Sequence, residues 1–196
     1  MEANQDSKSP LERAVEAGLI DRDYHAALLR SAERVAQDAN IHSHLLFTSM
    51  VGHATQDEVD YVLNLHGHLH EGTYGLVVRA EHPKYPVMDR FAMMAAAFLR
   101  NYVSARVMTI QDVIAALRDE AMPTPTVLMV PNFLVGLRHT DTIPEWQVPL
   151  LAGLLYNRQA AGLQTVVYVQ HWKSLERIYG STIYQTINNH YLKVDE

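Results

Sequence analysis

The hydrophobic pattern changes character near residue 72 and divides the chain into two parts. Before this point, apolar residues recur at the spacing of amphipathic helices, as in the segment RDYHAALLRSAERVAQDA. After it, short runs of consecutive apolar residues alternate with helical patterns. Such runs are typical of buried parallel strands, and their alternation with helices is typical of α/β domains. The pattern therefore predicts a helical N-terminal region, residues 1–71, and an α/β domain, residues 72–196.

Helix-start signals place the helices of the N-terminal region. Ser9 and Thr55 each begin a capping box, and Pro10 follows the first of them at the first helical position. Asp21 is expected to start a second long helix, and a third helical segment is expected across residues 41–53. The predicted apolar face of the helix after Thr55 consists of Val59, Val62, Leu63 and His66.

Apolar runs predict the strands of the α/β domain. The expected strands are Leu76–Val78, Arg106–Met108, Val127–Val130, Thr165–Val169 and residues 191–194. Helices are expected over Val87–Tyr102, after the cap Thr109, from Pro144 to the C-cap signal Gly162, and on either side of Gly180. We therefore expect a three-layer α/β fold, in which a parallel sheet is covered by helices on both faces.

Composition and charge narrow the class of protein. The 196 residues are 48% hydrophobic and 19% charged, the balance of a globular protein with a substantial core. A net charge of −6 disfavours an unaided nucleic-acid binder and leaves room only for a weak contact through a local basic patch. The absence of cysteine excludes disulfides and thiolate zinc sites. No apolar run approaches the ~20 residues that span a bilayer, so we expect a cytoplasmic protein without membrane insertion.

The turn after the first predicted strand raises the question of nucleotide binding. Phosphate-binding loops at this position are rich in glycine and end in Lys followed by Ser or Thr. The turn here, RAEHPKYPVMD, has no glycine, and Pro83 and Pro86 remove two backbone donors. No hydroxyl residue follows Lys84 to hold magnesium. Together, Arg79, Lys84 and Arg90 would still attract anions to the turn.

The order of elements over residues 72–194 resembles that of a known ATPase family. The long helix ends in YNRQAAGLQTVVYV, the segment LERIYGSTIYQTI follows, and the matching residues are Arg158, Gly162, Thr165, Leu175 and Gly180. This arrangement is similar to the AAA+ ATPase core of bacterial replicative helicase loaders and of the transposition helper ATPases related to them. The resemblance implies a role in DNA replication or in the transfer of a mobile element. An alternative interpretation is an α/β protein unrelated to these ATPases, because such a protein would show the same alternation of strands and helices.

The positions at which this family carries its ATPase residues are altered in this chain. The phosphate loop would fall at Glu81–Asp89, without its glycines. Where the family places acidic residues after the third strand, the chain has PNF, with Asn132 at its centre. The polar sensor would fall at Gln170 or His171, and YGSTIYQTI, where the arginine finger is expected, contains no Arg. We therefore expect a core that has lost ATP hydrolysis and binds no cofactor.

Eleven histidines are the other conspicuous feature of the composition. In the segment HGHLHEG, His66 and His70 would share one helix face, and His44 or Glu71 is a candidate third ligand for a metal ion. Solvated or hydrogen-bonded histidines at a helix end would show the same pattern, and this is the interpretation that we favour.

Two tryptophans suggest how the protein would act without catalysis. Trp146 and Trp172 lie at predicted loop positions beside the long helix and the fourth strand, where aromatic side chains are candidate anchors for a protein partner. We expect a non-catalytic adaptor or structural subunit that acts through protein–protein interaction in a larger complex, with homo-oligomers allowed. Two alternatives stay open: a loader-like protein that binds nucleotide through an altered loop, and a small metal-dependent enzyme that uses the histidines.

Overall fold

The centre of the molecule is a five-stranded sheet in which every strand is parallel to its neighbours. The structure is a computed structural model that describes residues 8–137 and 142–196. The order across the sheet is β2-β3-β4-β1-β5. The strands are β1 (Gly75–Arg79), β2 (Ala105–Val107), β3 (Val127–Leu134), β4 (Gln164–Val169) and β5 (Tyr191–Asp195). The prediction of a three-layer α/β fold with a parallel sheet is therefore confirmed.

Nine α-helices lie in the part of the chain that the structure describes. They are α1 (Pro10–Glu16), α2 (Ala26–Arg30), α3 (Ala32–Asp38), α4 (Gln56–Leu63), α5 (Leu65–His70), α6 (Val87–Arg100), α7 (Ile110–Arg118), α8 (Val148–Ala160) and α9 (Leu175–His190). Three short 3-10 helices accompany them at Ser43–Phe47, Glu145–Gln147 and Trp172–Ser174. None of these described helices combines the length and the apolar character that a membrane crossing requires.

The helices cover the sheet unequally. α6 and the N-terminal helices pack on one face, whereas α7, α8 and α9 pack on the other. This division follows from the right-handedness of parallel crossovers, which places the connecting helix on opposite faces for opposite directions along the sheet. The connection from β1 runs toward the β2 edge, and the three later connections run toward the β5 edge. The resulting sheet is buried on both faces, which explains the continuous apolar runs of its strands.

Both predicted capping boxes form, but the second long helix does not. Ser9 accepts from the backbone N–H of Glu12, and Thr55 accepts from that of Glu58. After Asp21 the chain makes a turn instead of a helix, because the Asp21 carboxylate accepts from two backbone N–H groups and the His25 ring contacts the Asp21 backbone. Such local side-chain hydrogen bonds compete with helix formation. Helical structure begins only at α2 and is interrupted again before α3.

The third predicted helical segment is also shorter than expected. Of residues 41–53, only Ser43–Phe47 is helical, and it is a 3-10 helix. The segment is held instead by Arg100 of α6, whose Nη1 atom donates to the carbonyl groups of Leu45, Leu46 and Thr48. Burial lowers the pKa of Arg100 to about 10, so the guanidinium stays charged at neutral pH. A distant arginine therefore fixes a stretch that its own sequence leaves irregular.

The buried face of α4 differs from the predicted one. Leu63 is 76% exposed, whereas Glu58 and Tyr61 are fully buried. Polar partners explain this rotation: Arg90 binds Glu58, and the Tyr61 hydroxyl donates to Gln164 Oε1 at 2.6 Å. Apolar periodicity does not register such buried polar contacts, so the predicted face that included Leu63 was wrong.

α9 is bent where the sequence predicted a break between two helices. Gly180 has φ 81° and ψ 165°, a conformation outside the helical region that interrupts the helix. A side chain at this position would be strained, because residues other than glycine rarely adopt a positive φ of this kind. The two predicted helices are therefore present within α9, and they meet at a kink at Gly180.

The helical region and the α/β domain share a core across the expected boundary. Tyr61 and Leu65 belong to the same buried cluster as Leu76 of β1 and Phe91 of α6. A smaller cluster joins Leu28, Ala36 and Leu46 to Ala96 of α6. The division at residues 71 and 72 remains a prediction about folding units, and α6 is the element on which the helical region packs.

Gly75→Ala is expected to destabilise the protein by about 3 kcal/mol, because overpacking a filled site forces the backbone to move. A Cβ atom at Gly75 would overlap the carbonyl oxygen of Thr165 and the ring of Tyr191 on the neighbouring strands. Urea unfolding measures the change. The matched control is Gly153→Ala in α8, where no heavy atom lies within 4 Å of the added Cβ. That variant should gain roughly 0.5–1 kcal/mol of helix stability. Equal midpoints for Gly75→Ala and the parent would contradict the packing described here.

Candidate functional site at the carboxyl edge of the sheet

The carboxyl ends of β1 and β4 form a topological switch point. These neighbouring strands lead to helices on opposite faces of the sheet, β1 to α6 and β4 to α9. Connections that diverge in this way open a crevice, which is the usual ligand position in parallel α/β sheets. Residues 80–86 after β1 and residues 170–171 after β4 border it. The crevice coincides with the turn that the sequence marked as an altered phosphate loop.

Side chains from the strand ends span this crevice. Gln170 Nε2 donates to the carbonyl oxygen of Glu81 at 3.1 Å, and Gln170 Oε1 accepts from the N–H of Gly136 at 3.2 Å. The Tyr168 hydroxyl donates to the carbonyl oxygen of Ala80 at 2.7 Å. Burial raises the pKa of Tyr168, so this hydroxyl stays neutral and remains a donor. The ends of β1, β3 and β4 are thus tied to one another by groups of the protein.

A buried charge cluster lies at the start of α6, directly after the turn. Arg90 Nε lies 2.7 and 2.8 Å from the two carboxylate oxygens of Glu58, and Arg90 Nη1 donates to Glu196 Oε2 at 2.8 Å. Arg90 and Glu58 are completely buried. Burial alone would lower the pKa of Arg90, but hydrogen bonds and charges from Glu58 and Glu196 outweigh it and raise that pKa. One guanidinium is therefore shared by two carboxylates; its Nη2 atom, also buried, has no hydrogen-bond partner among the described residues.

The turn itself is held by a carboxylate of the same chain. Glu196 Oε2, which accepts from Arg90, also accepts from the backbone N–H of Lys84 at 3.3 Å. A phosphate-binding turn would direct such an N–H at its ligand. The chain therefore supplies its own anion at this position.

The three cations predicted to attract anions have different environments. Arg79 makes two hydrogen bonds to Asp195, at 2.6 and 2.5 Å, and its guanidinium carbon lies 4.9 Å from the ring centroid of Trp172. Arg90 is paired within the buried cluster. The Lys84 ammonium lies 5.1 Å from the ring centroid of Tyr85. Among the described residues, only Lys84 of these three has no carboxylate beside its charge.

Asn132, at the position where the family has acidic residues, caps a helix. β3 continues past a register irregularity, and Asn132 Oδ1 then accepts from the N–H of Ile110 at 2.8 Å. Asn132 Nδ2 donates to Gln111 Oε1 at 2.9 Å. Beside it, Thr109 accepts from the N–H of Asp112 and provides the predicted N-cap. The amide group thus anchors the first turn of α7 to β3.

Arg158, one of the residues on which the resemblance rests, is buried, with 1% of its surface exposed. Its guanidinium makes five hydrogen bonds to neighbouring groups. It donates to Thr165 Oγ1 and to the carbonyl oxygens of Pro123, Pro125, Thr126 and Gln164. Burial lowers the pKa of Arg158 to about 10, which leaves it charged at neutral pH. Its role in the structure is to fasten the segment before β3 to the start of β4.

The histidines that the structure describes are spread over separate places and form no single cluster. His66 and His70 are exposed on α5, and His68 instead stacks on Tyr61 with 5.2 Å between ring centroids. His42, His44 and His53 line a separate cavity of about 580 Å³ next to the start of α6. Within residues 8–137 and 142–196, no group of three His, Asp or Glu side chains is placed to hold a metal ion. The geometry therefore gives no support to a metal-dependent enzyme built on His66 and His70.

The two candidate partner anchors differ in exposure. Trp146 is 66% exposed, and the guanidinium carbon of Arg118 lies 6.0 Å from its ring centroid. Trp172 is partly buried, between Arg79 on one side and Tyr184 on another, with 5.4 Å between the two aromatic centroids. Only Trp146 presents most of its surface to solvent.

The sequence reading missed the partners of the buried arginine. The sequence marks Glu58 only as the last residue of the capping box that Thr55 begins, and it gives no signal for Glu196. One signal was present: Arg90 lies four residues before Met94, on a helix face that is otherwise apolar. A charged residue at such a position indicates a buried partner.

Comparison with known proteins assigns no family. No family model matches the chain, and no curated protein matches its sequence. The function is therefore argued from the geometry of the crevice and of the exposed surfaces.

Glu58→Ala is expected to destabilise the protein by about 3–5 kcal/mol, because removing one partner of a buried ion pair leaves the other uncompensated. Chemical denaturation measures the loss. Glu12→Ala is the matched control, since Glu12 holds the same capping-box position in α1 but is exposed. The free energy of unfolding should fall far less in Glu12→Ala than in Glu58→Ala. Similar losses in the two variants would show that the cap, and not the pairing with Arg90, accounts for the effect.

Proposed function

We propose that the protein is a non-catalytic AAA+-like adaptor or structural subunit, acting in the cytoplasm through protein–protein contacts within a larger complex. One observation carries this proposal: the groups at and around the positions that the resemblance assigns to ATPase residues are already bound to other groups of the chain. Glu196 accepts from the turn after β1, Asn132 caps α7, and Gln170 joins the ends of β1 and β3. A nucleotide at the switch point would have to break these contacts.

The sheet supports the AAA+-like part of the proposal. Every strand is parallel to its neighbours and helices cover both faces, which is the fold class that the resemblance implies. A fold by itself does not define a function. We infer a setting in DNA replication or in the transfer of a mobile element from the resemblance alone.

The turn after β1 lacks the groups that bind a nucleotide triphosphate. A triphosphate must meet convergent backbone N–H groups, a lysine, and a magnesium ion held by a hydroxyl and a carboxylate. Here Glu196 already accepts from the backbone N–H of Lys84, so a phosphate at the turn would have to displace this carboxylate. The proline residues at 83 and 86 supply no N–H, and no hydroxyl follows Lys84. Each such loss typically costs about 10²-fold or more in catalysis.

The protein is expected neither to bind ATP with micromolar, magnesium-dependent affinity nor to hydrolyse it. Titration calorimetry with ATP and Mg²⁺, beside a phosphate-release assay, measures both properties. Lys84→Ala serves as the control, and it should leave both measurements at background. Weak phosphate binding that does not depend on magnesium is compatible with the exposed ammonium of Lys84. Turnover that Lys84→Ala abolishes, or micromolar affinity that requires Mg²⁺, would show that the protein is a nucleotide-binding loader.

A further inference from the structure

The outward face of α8 is apolar where an exposed helix usually carries charge. Trp146, just before the helix, is 66% exposed, Leu150 is 37% exposed and Tyr156 is 70% exposed. Within α8 the only charged residue is Arg158, which is buried. A surface helix normally places charged residues opposite its core face, whereas a helix that is apolar all round is typical of a buried element. The inner face of α8 packs on the sheet, so its outer face lacks a cover.

The apolar residues follow one stripe with a glycine at its centre. At helical spacing, Trp146, Leu150, Gly153, Asn157 and Ala160 align along the exposed side, and Asn157 is the one polar side chain among them. No heavy atom lies within 4 Å of the position that a Cβ of Gly153 would take. Glycine weakens the interior of a helix relative to alanine. Its presence here is explained if another backbone approaches closely at this point.

We propose that this face binds α8 of a second copy of the chain, antiparallel about a two-fold axis that passes through Gly153. A two-fold axis at the glycine places each residue before Gly153 in one copy against the residue that lies equally far after Gly153 in the other copy. Leu150 then lies over the partner's Tyr156, three residues from the axis on either side. Trp146 lies over the partner's Ala160, seven residues from the axis on either side. The largest side chain of the stripe therefore meets one of the smallest, and the faces are complementary in size.

Charge also favours a second copy over a different partner. A charged group near a two-fold axis lies close to its own copy, so self-pairing requires a face without charge at its centre. The α8 stripe has this property, although the protein as a whole has a net charge of −6. Charged residues begin only at the margin, with Arg118 beside Trp146.

The available surface indicates a pair of moderate affinity. In the pair, Trp146 and Tyr156 of both copies would together bury on the order of 500 Å² of exposed aromatic surface. Specific interfaces bury roughly 1,200–2,000 Å² in total. The remaining area must come from Leu150, Ala160 and the neighbouring surfaces of α7 and α9, which flank α8 in the same layer. We therefore expect association in the micromolar range. This inference does not depend on the proposed function, because a protein that bound ATP could pair in the same way.

Analytical ultracentrifugation of the full chain tests the pairing. At high micromolar concentration the species should have twice the protomer mass of 22.2 kDa. Gly153→Leu should return it to one protomer mass, because the added side chain meets nothing within its own protomer but blocks the axis. Circular dichroism should show that this variant keeps its fold. Leu63→Asp is the control, since Leu63 is 76% exposed on α4, on the other face of the sheet, and its replacement should leave the association unchanged.

Cross-linking locates the axis independently. Because the chain has no cysteine, Gly153→Cys introduces a single thiol, which should form a disulfide between two copies under mild oxidation. Leu63→Cys should form none beyond slow background. A chain that stays at one protomer mass throughout would overturn the proposal and leave this face to a different protein. Association that persists in Gly153→Leu, with no efficient cross-link through Gly153→Cys, would overturn the assignment to α8.

Discussion

The position of the turn after β1 depends on one buried guanidinium. Arg90 joins three parts of the chain: the first turn of α4 through Glu58, the first turn of α6 on which it lies, and the segment after β5 through Glu196. A charged group in the interior is tolerated only when it is paired, and removing a partner costs more than the pair contributes by itself. The cluster therefore fixes how these three parts sit relative to one another. The backbone N–H of Lys84 donates to the same Glu196 oxygen, so the cluster holds the turn as well.

Once the turn is fixed in this way, the chemistry available at the switch point is limited. Arg79 and Arg90 are paired with carboxylates of the chain, so their charges are already engaged and offer a phosphate little attraction. The polar groups at the ends of β3 and β4, Asn132 and Gln170, are used to hold α7 and the strand ends. Among the large exposed apolar side chains of the described residues, Trp146, Leu150 and Tyr156 are grouped along the outer side of α8.

The fold could be predicted from the sequence because its signals are local. Apolar runs marked all five strands, and both capping boxes formed as expected. The site could be predicted only in part. The altered turn was visible, but Glu58 and Glu196 lie 32 and 106 residues from Arg90 in the chain, and no local pattern connects them. The exposure of Leu63 was missed for the same reason, because a polar pair and not apolar spacing orients α4.

In the structure, a carboxylate of the chain binds the turn after β1, because Glu196 accepts from the backbone N–H of Lys84. The backbone amide signal of Lys84 in a ¹H–¹⁵N NMR spectrum reports on this contact. We expect Glu196→Gln to move the Lys84 signal, and we expect addition of ATP with Mg²⁺ to the parent protein to leave it in place. A saturable shift of this signal with ATP and Mg²⁺, together with no response to Glu196→Gln, would show that the turn binds nucleotide and not Glu196.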